Sequence, residues 1–360
     1  MQIKRMELMI TGHINRYPLM EVRDVCKLIY QSIFGGGHMI PNPSYSLNRL
    51  QEEYESVKDM LTETSEVTEQ IGGGICRIYL NSIKQGLAFA TLNNMFVFSA
   101  NRKRGTVEEL EKELQAFLDR CERDISFFKT EEAKPFIQTW KEKGYPAISH
   151  SDIYREHYQP AYRVVDEVYG RYYPVFLEID RLIEKNKGKE RPVIIVIDGM
   201  AGSGKSTLGD LLKEIYDCNL FHMDDYFLQP YQRTEKRLNE PGGNVDYERF
   251  KEEIYNQIEA GKDFVYQKYD CSVQALGEKV EVKYRKLNII EGAYSAHPYF
   301  KERADLTFFM EIPNELQKER IGRRNGEWML NRFLTEWIPM EHCYFNTYGI
   351  REKGILISGE

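Results

Sequence analysis

Residues 189–360 read as an α/β domain, a parallel sheet with helices on both faces, and residues 1–185 as a separate α+β domain. Three observations predict this. In the second half short apolar runs alternate with amphipathic segments, the pattern of a parallel sheet buried on both sides. A glycine-rich segment, "GMAGSGKST", joins the first of those runs to a helical pattern. Between the halves lies "EKNKGKERP", residues 184–192, charged, carrying a glycine and ending in proline, as a linker would.

Composition sets the outer bounds. A chain of 360 residues, 42% hydrophobic and 29% charged, has the make-up of a globular protein long enough for two cores. A net charge of −7 gives no reason to expect nucleic acid or an anionic membrane as partner. No apolar run is long enough to span a bilayer, and "MQIKRMELMITGHINRYPLM" lacks the uninterrupted apolar stretch of a signal peptide. Cys26, Cys76, Cys121, Cys218, Cys271 and Cys343 are scattered singly, which predicts reduced thiols in a cytoplasmic protein. The histidines are dispersed too; His150 and His157, seven apart, suit a core or solvated role better than a metal site. Homo-oligomerisation is left open.

In the first half, "MEVRDVCKLIYQSIF" has helical spacing and stops at the glycines 35–37. "GGGICRIYL" and "FVFSA" read as strands around a helical "NSIKQGLAFATLNN". "TVEELEKELQAFLDRCERDISFF" is an amphipathic helix with a capping box at Thr106 and Glu109. Its buried stripe is Leu110, Leu114, Phe117, Leu118 and Cys121. Two further stretches stand out. "YQSIFGGGHMI" sets glycines beside His38, either as a ligand approach or as a helix C-cap and bend. "GYPAISHSDIYREHYQPAYRVV" is dense in Tyr, His and Arg, either an anion or nucleotide surface or packing between domains. The expected role of the first domain is accessory, supplying part of a substrate pocket or regulating the second.

The second half runs "PVIIVID", "STLGDLLKEIY", "NLFHMD", "YERFKEEIYNQIEA", "LNIIEG", "LTFFMEI", a basic helix and "GILIS", strand and helix by turns. "GMAGSGKST" fits GxxxxGK[ST] with Gly199, Gly204, Lys205 and Ser206. An apolar strand, Val193 to Ile197, precedes it. A helix with Leu208, Leu211, Leu212 and Ile215 on one face follows. Glycines there turn backbone N–H groups inward to make an anion nest, and the helix adds its positive end. This is a P-loop. Gly199, Ala201, Gly202, Ser203, Gly204, Lys205, Ser206 and Thr207 are expected to cradle the phosphates of ATP, with Lys205 reaching the β/γ-phosphates and the Ser206 hydroxyl binding Mg²⁺.

Three features favour a kinase among P-loop proteins. "MDDYF" places Asp224 19 residues beyond Lys205, at the end of a strand beside the P-loop strand. Its two aspartates could be a base, metal ligands or the polar start of a turn. A hydroxyl acceptor needs a base or orienting group at that place. "PGGNVDYERF" sets Asp246 before a helix, either to hold sugar-like hydroxyls or only to cap the helix. "QKERIGRRNG" gathers Arg320, Arg323 and Arg324, which could close over a triphosphate or form a solvated face.

With these pieces in place, residues 191–358 resemble the uridine kinase, nicotinamide riboside kinase and phosphoribulokinase group of P-loop kinases. The resemblance rests on "GMAGSGKST", "MDDYFLQP", "NVDYERF", "YD" at 269–270, "IIEGAYS", the arginine segment and "WIPMEHCYF". It implies a five-stranded parallel sheet with a mobile lid, and a reaction with Mg-ATP and a small-molecule acceptor. It also implies roles: Asp224 as base for the acceptor hydroxyl, Asp246 holding acceptor hydroxyls, Glu291 near metal and acceptor, and Arg320 and Arg324 as lid arginines. Adjacent residues on a strand point to opposite sides, so Asp225 is expected to serve as a turn residue or a metal-water contact. Tyr226 and Arg233 are expected on the acceptor side. Uridine kinases follow "YD" with a histidine and an arginine that help read the pyrimidine; this sequence has "YDCSVQAL". Arg233 and Arg237, in the long connection before Asp246, suggest an anionic acceptor. The reading is an ATP- and Mg-dependent kinase for a hydroxyl of a nucleoside-like metabolite. The alternatives are a sugar-phosphate or vitamin-precursor kinase, or a nucleotide-switched regulatory protein with weak ATPase activity.

Overall fold

The computed structural model describes residues 2–36, 39–61, 66–102, 104–124, 127–301 and 303–359, with backbone alone for residues 2–5. His38 lies outside the described residues. The chain divides into two compact units, Met1–Arg181 and Leu182–Glu360. No described helix is long and apolar enough to cross a membrane.

In the first unit, helices surround a small antiparallel sheet of β1 (Thr68–Gly72), β2 (Ile75–Tyr79) and β3 (Tyr162–Asp166), in that spatial order. Helix Val22–Phe34 buries Val25, Cys26, Leu28 and Ile29 against Leu110, Leu114, Phe117 and Cys121 of helix Val107–Arg123. The capping box of that second helix is formed: Glu109 N–H donates to Thr106 Oγ1 at 3.3 Å, and Thr106 N–H to Glu109 Oε2 at 2.8 Å. "FVFSA", expected as a strand, is instead the last part of helix Phe89–Asn101. Its aromatic and β-branched residues suit either element. Packing against the sheet decides for the helix, with the Ser99 hydroxyl accepting the Asp166 N–H at 2.8 Å.

Beneath this sheet lies a buried polar network. Arg77 donates to Glu69 at 3.0 Å and to Gln31 at 2.7 Å, and its guanidinium stacks 4.5 Å from the Tyr162 ring centre. Tyr17 and Tyr79 each donate to Glu69 at 2.8 Å. His150 lies 2.8 Å from Asp24 and 2.7 Å from the Tyr162 hydroxyl, and burial pushes its pKa down to about 4, so it is neutral. The Tyr- and His-rich stretch thus packs inside its own unit, while His157 is exposed.

The second unit is built on a five-stranded, all-parallel sheet. Its strands are β4 (Val193–Gly199), β5 (Cys218–His222), β8 (Leu287–Glu291), β9 (Leu306–Glu311) and β10 (Ile355–Ser358), ordered β10-β9-β4-β8-β5. β4 and β8 are buried along their whole length, which explains their unbroken apolar runs. Helix Lys205–Ile215 covers the sheet with Leu208, Leu211, Leu212 and Ile215, as its spacing predicts. Among the elements that the sequence reading did not name, β6 (Phe264–Asp270) and β7 (Ala275–Val282) form a separate antiparallel hairpin.

Candidate active site

Parallel sheets gather ligands at the carboxyl ends of their strands, and three strand ends meet here. Register pairs Ile197 of β4 with Glu291 of β8, and Glu291 with His222 of β5. Gly199 ends β4 at φ 136°, and a side chain there would collide with the Met310 carbonyl at 2.1 Å. Gly202 and Gly204 are also left-handed, at φ 73° and 101°, so only glycine lets the loop turn its N–H groups inward. Lys205 opens the following helix and donates back to the carbonyls of Gly199 at 2.8 Å and Met200 at 2.9 Å. The loop geometry and a lysine poised on its rim fit a triphosphate.

Ser206, next along the helix, donates to Glu291 Oε2 at 3.2 Å. The other oxygen of Glu291 lies 2.5 Å from His222 Nδ1. That bond raises the His222 pKa against the opposing effect of burial. Ser206 and Glu291, a hydroxyl and a carboxylate, are oxygen donors of the type Mg²⁺ prefers.

The aspartate pair does not lie on a strand. Residues Met223–Tyr226 form a single 3-10 turn after β5, which corrects the expectation of opposite strand faces. Successive side chains in such a turn splay by about 120°, so the two carboxylates still part company. Asp225 pairs with Lys268 of the hairpin at 3.3 Å, and Tyr266 lies 3.5 Å from it. Asp224 is exposed to solvent at the start of this turn. Desolvation raises its pKa; Lys205 and His222 oppose the shift, while Glu291 and Asp225 add to it.

The remaining predicted residues are placed as follows. Asp246 is buried and caps helix Tyr247–Phe250 through the Arg249 N–H at 3.0 Å, and its other oxygen accepts from Gln232 at 2.8 Å. Tyr226 is fully buried, stacked beneath Arg249, with its hydroxyl donating to Glu253 at 3.1 Å. Arg233 donates to the Leu228 carbonyl at 3.1 Å and to Tyr269 at 2.9 Å. Arg237 spends all three nitrogens on Gly243, Val245 and Glu248. Arg320 donates to the Gly359 carbonyl at 2.6 Å and reaches the Gly202 carbonyl at 3.4 Å, so it braces the phosphate loop. Arg324 is exposed, bonded to Asn325 just before a break in the helix at Gly326. The structure therefore brings together the loop residues, Glu291 and Asp224, and leaves Arg324 outside that group.

Sequence reasoning missed two buried acids beside the loop. Asp198, the last side chain of β4, has no exposed surface. It accepts from the N–H groups of Gly199, Tyr294 and Ala296 and from the Tyr344 hydroxyl at 2.9 Å. Glu341 accepts the Ala201 N–H at 2.9 Å, and burial pushes its carboxyl up to about 7. Gln317 donates to the Ala201 carbonyl at 2.9 Å, so both backbone groups of one loop residue are held by side chains flanking Gly326. A polar residue ending an apolar strand was the available signal for Asp198. Glu341 lay within "WIPMEHCYF" without a role, and only the fold brings it to the loop.

No protein-family model matches the chain, and no curated protein is similar to it. Among solved structures it is similar to a possible uridine kinase from Bacillus stearothermophilus, with 19% identity and a TM-score of 0.35 over 51% of this chain and 99% of that one. It is also similar to a Silicibacter protein provisionally described as a fructose transport system kinase, with 17% identity and a TM-score of 0.40 over 49% and 95%. A third is the YGR205w protein, with 17% identity and a TM-score of 0.36 over 54% and 92%. Each of these likenesses covers about half of this chain.

Proposed function

We propose that the second unit is a Mg-ATP-dependent kinase that phosphorylates a hydroxyl of a nucleoside-like small molecule. The observation that carries this is the meeting, at the ends of β4, β5 and β8, of a P-loop lysine, the Ser206–Glu291–His222 chain and a solvent-exposed Asp224. A nucleotide switch with ATPase activity also uses a carboxylate beside its loop, so ADP release that depends on an acceptor is what separates the two readings.

In the proposed reaction the acceptor oxygen attacks the γ-phosphorus, its bond to the β-bridging oxygen breaks, and ADP leaves. Asp224 takes the hydroxyl proton, and desolvation brings it nearer the proton affinity a base needs at neutral pH. Lys205 leaves the carbonyls of Gly199 and Met200 to meet the charge on the transferred group. Ser206 and Glu291 would hold Mg²⁺, which supplies charge neutralisation on the phosphate oxygens. Asp246, already engaged as a cap, would orient the acceptor from a rigid position, and Arg324, beside the Gly326 break, is the arginine poised to close from the lid. Arg237 is fully spent on its own loop, which removes one of the two arginines suggesting an anionic acceptor. A neutral acceptor is the better match.

The test is an ADP-release screen with the full chain and Mg²⁺ over neutral nucleosides, sugar phosphates and vitamin precursors. Acceleration by a neutral nucleoside-like compound supports the reading. Acceleration by phosphorylated compounds alone moves the assignment to a sugar-phosphate kinase, and no acceleration by any of them favours the nucleotide switch.

A further inference from the structure

The first unit contains a cavity of about 960 Å³, within the size range of small-molecule sites. Helices Gln2–Arg16 and Val107–Arg123, the end of helix Val22–Phe34 and strand β1 contribute to its wall. Met6, Met9 and Ile33 give it an apolar side.

Two buried acceptors on this wall lack a hydrogen-bond partner among the described residues. Glu113 is 7% exposed, and its Oε2 is unpaired. Its sequence neighbour Lys112 is exposed and lines the same cavity but makes no hydrogen bond to Oε2. Burial raises the Glu113 carboxyl pKa, with Lys112 opposing. His13 is 6% exposed. Its Nε2 lies 3.3 Å from the Gln70 carbonyl, an acceptor, so Nε2 carries the proton and Nδ1 presents a lone pair. Nδ1 has no partner; Glu69 Oε1, 3.7 Å away, is itself an acceptor.

Among the described residues, the cations on the wall make no hydrogen bond to these two acceptors. Arg16 pairs with Glu66 at 3.0 Å, and Arg104 pairs with Asp166. Arg104 Nε is also unpartnered, but it lies against Gly35. A buried carboxylate oxygen without a donor is costly to a fold, and such sites persist where a ligand supplies the missing group.

We propose that this cavity is a binding site for a small organic cation, an ammonium or guanidinium on an apolar body, with Glu113 as its counter-ion and His13 Nδ1 accepting a further N–H. The apolar body lies along Met6, Met9 and Ile33. The first unit is then a ligand-binding module in its own right, and this conclusion does not depend on what the second unit phosphorylates.

The test uses the full chain without nucleotide. The probe is agmatine, which carries both cationic groups, with putrescine and methylguanidine beside it and butyrate as a chain of opposite charge. By isothermal titration, at least one of the three cations binds the wild type and butyrate does not. Glu113→Gln weakens that binding by about tenfold or more, the loss expected for a charge-assisted hydrogen bond. In the absence of any probe, Glu113→Gln raises the unfolding temperature by roughly 2–6 °C, because an unpaired buried charge has been removed. Failure of all three cations to bind overturns the proposal. So does equal binding by Glu113→Gln, which is attraction to the acidic chain at large, or a fall in its unfolding temperature, which makes Glu113 a satisfied structural group.

Discussion

His222 Nδ1 and Glu291 Oε1 lie 2.5 Å apart across neighbouring strands, while the other oxygen of Glu291 accepts the Ser206 hydroxyl. One carboxylate thus joins the end of β5 to the first turn of the helix that follows the phosphate loop. Its charge is shared between a group that can be cationic and a hydroxyl suited to a metal.

The pairing predicts a shifted histidine. The hydrogen bond that His222 donates to Glu291 raises the histidine pKa above the ordinary value of about 6.5. The stabilisation it contributes is complete below that ordinary value and is lost as pH rises through the folded-state value. An NMR titration of the His222 ring should give a midpoint above about 6.5. Glu291→Gln should lower that midpoint, and a wild-type midpoint at or below 6.5 is incompatible with the bond.

Asp224 interacts electrostatically with Lys205, Glu291, His222 and Asp225. Asp224→Asn should leave ATP affinity nearly unchanged and slow phosphoryl transfer by roughly 10²–10⁴-fold, the worth of a positioned base. Nucleotide titration and single-turnover transfer separate the two effects. Lost ATP affinity with normal transfer of what is bound would refute the assignment.

Glu341 puts a pH signature beside the loop. Its folded-state carboxyl, pushed by burial up to about 7, binds a proton more tightly than in the unfolded chain. Stability therefore declines as pH rises from the ordinary glutamate value through about 7. Glu341→Gln keeps an acceptor for the Ala201 N–H but removes the titration. Relative to this variant the wild type should lose up to about 3 kcal/mol between pH 4 and pH 8. Urea unfolding at the two pH values measures this, and parallel behaviour of the two proteins counts against it.

In the first unit, Arg77 and Glu69 form a buried ion pair with two tyrosine hydroxyls on the carboxylate. Arg77→Met leaves that carboxylate without its main counter-charge and should cost about 3–5 kcal/mol. Adding Glu69→Gln should restore part of the loss. Hydrogen exchange of the β2 amides reads the opening of this unit directly, and a single-variant cost below about 1 kcal/mol would show that the pair is not holding the sheet.

Features encoded within a few residues were legible in the sequence. "GMAGSGKST" between an apolar strand and an amphipathic helix specifies its own loop, because glycine φ values and helix polarity are local properties. The Thr106–Glu109 capping box is local for the same reason. Where local signals were balanced, the reading failed. The apolar run Phe96–Phe98 suits a strand or a helix, and the sheet it packs on made the choice. The β6–β7 hairpin was passed over because polar residues interrupt its alternation, and its partner contacts lie on the aspartate turn.

By itself, then, the sequence determined a parallel α/β unit with a phosphate loop, and it singled out the aspartate pair, which lies in a 3-10 turn and not on the strand end expected. Only the tertiary structure decided what surrounds that loop. Glu341 lies 140 residues from Ala201 in the chain, Tyr344 146 from Asp198, and Glu291 85 from Ser206. No propensity or spacing carries information across such distances. Strand order and helix packing create those contacts, and the low polarity of the packed interior is what turns ordinary carboxylates into groups of raised pKa.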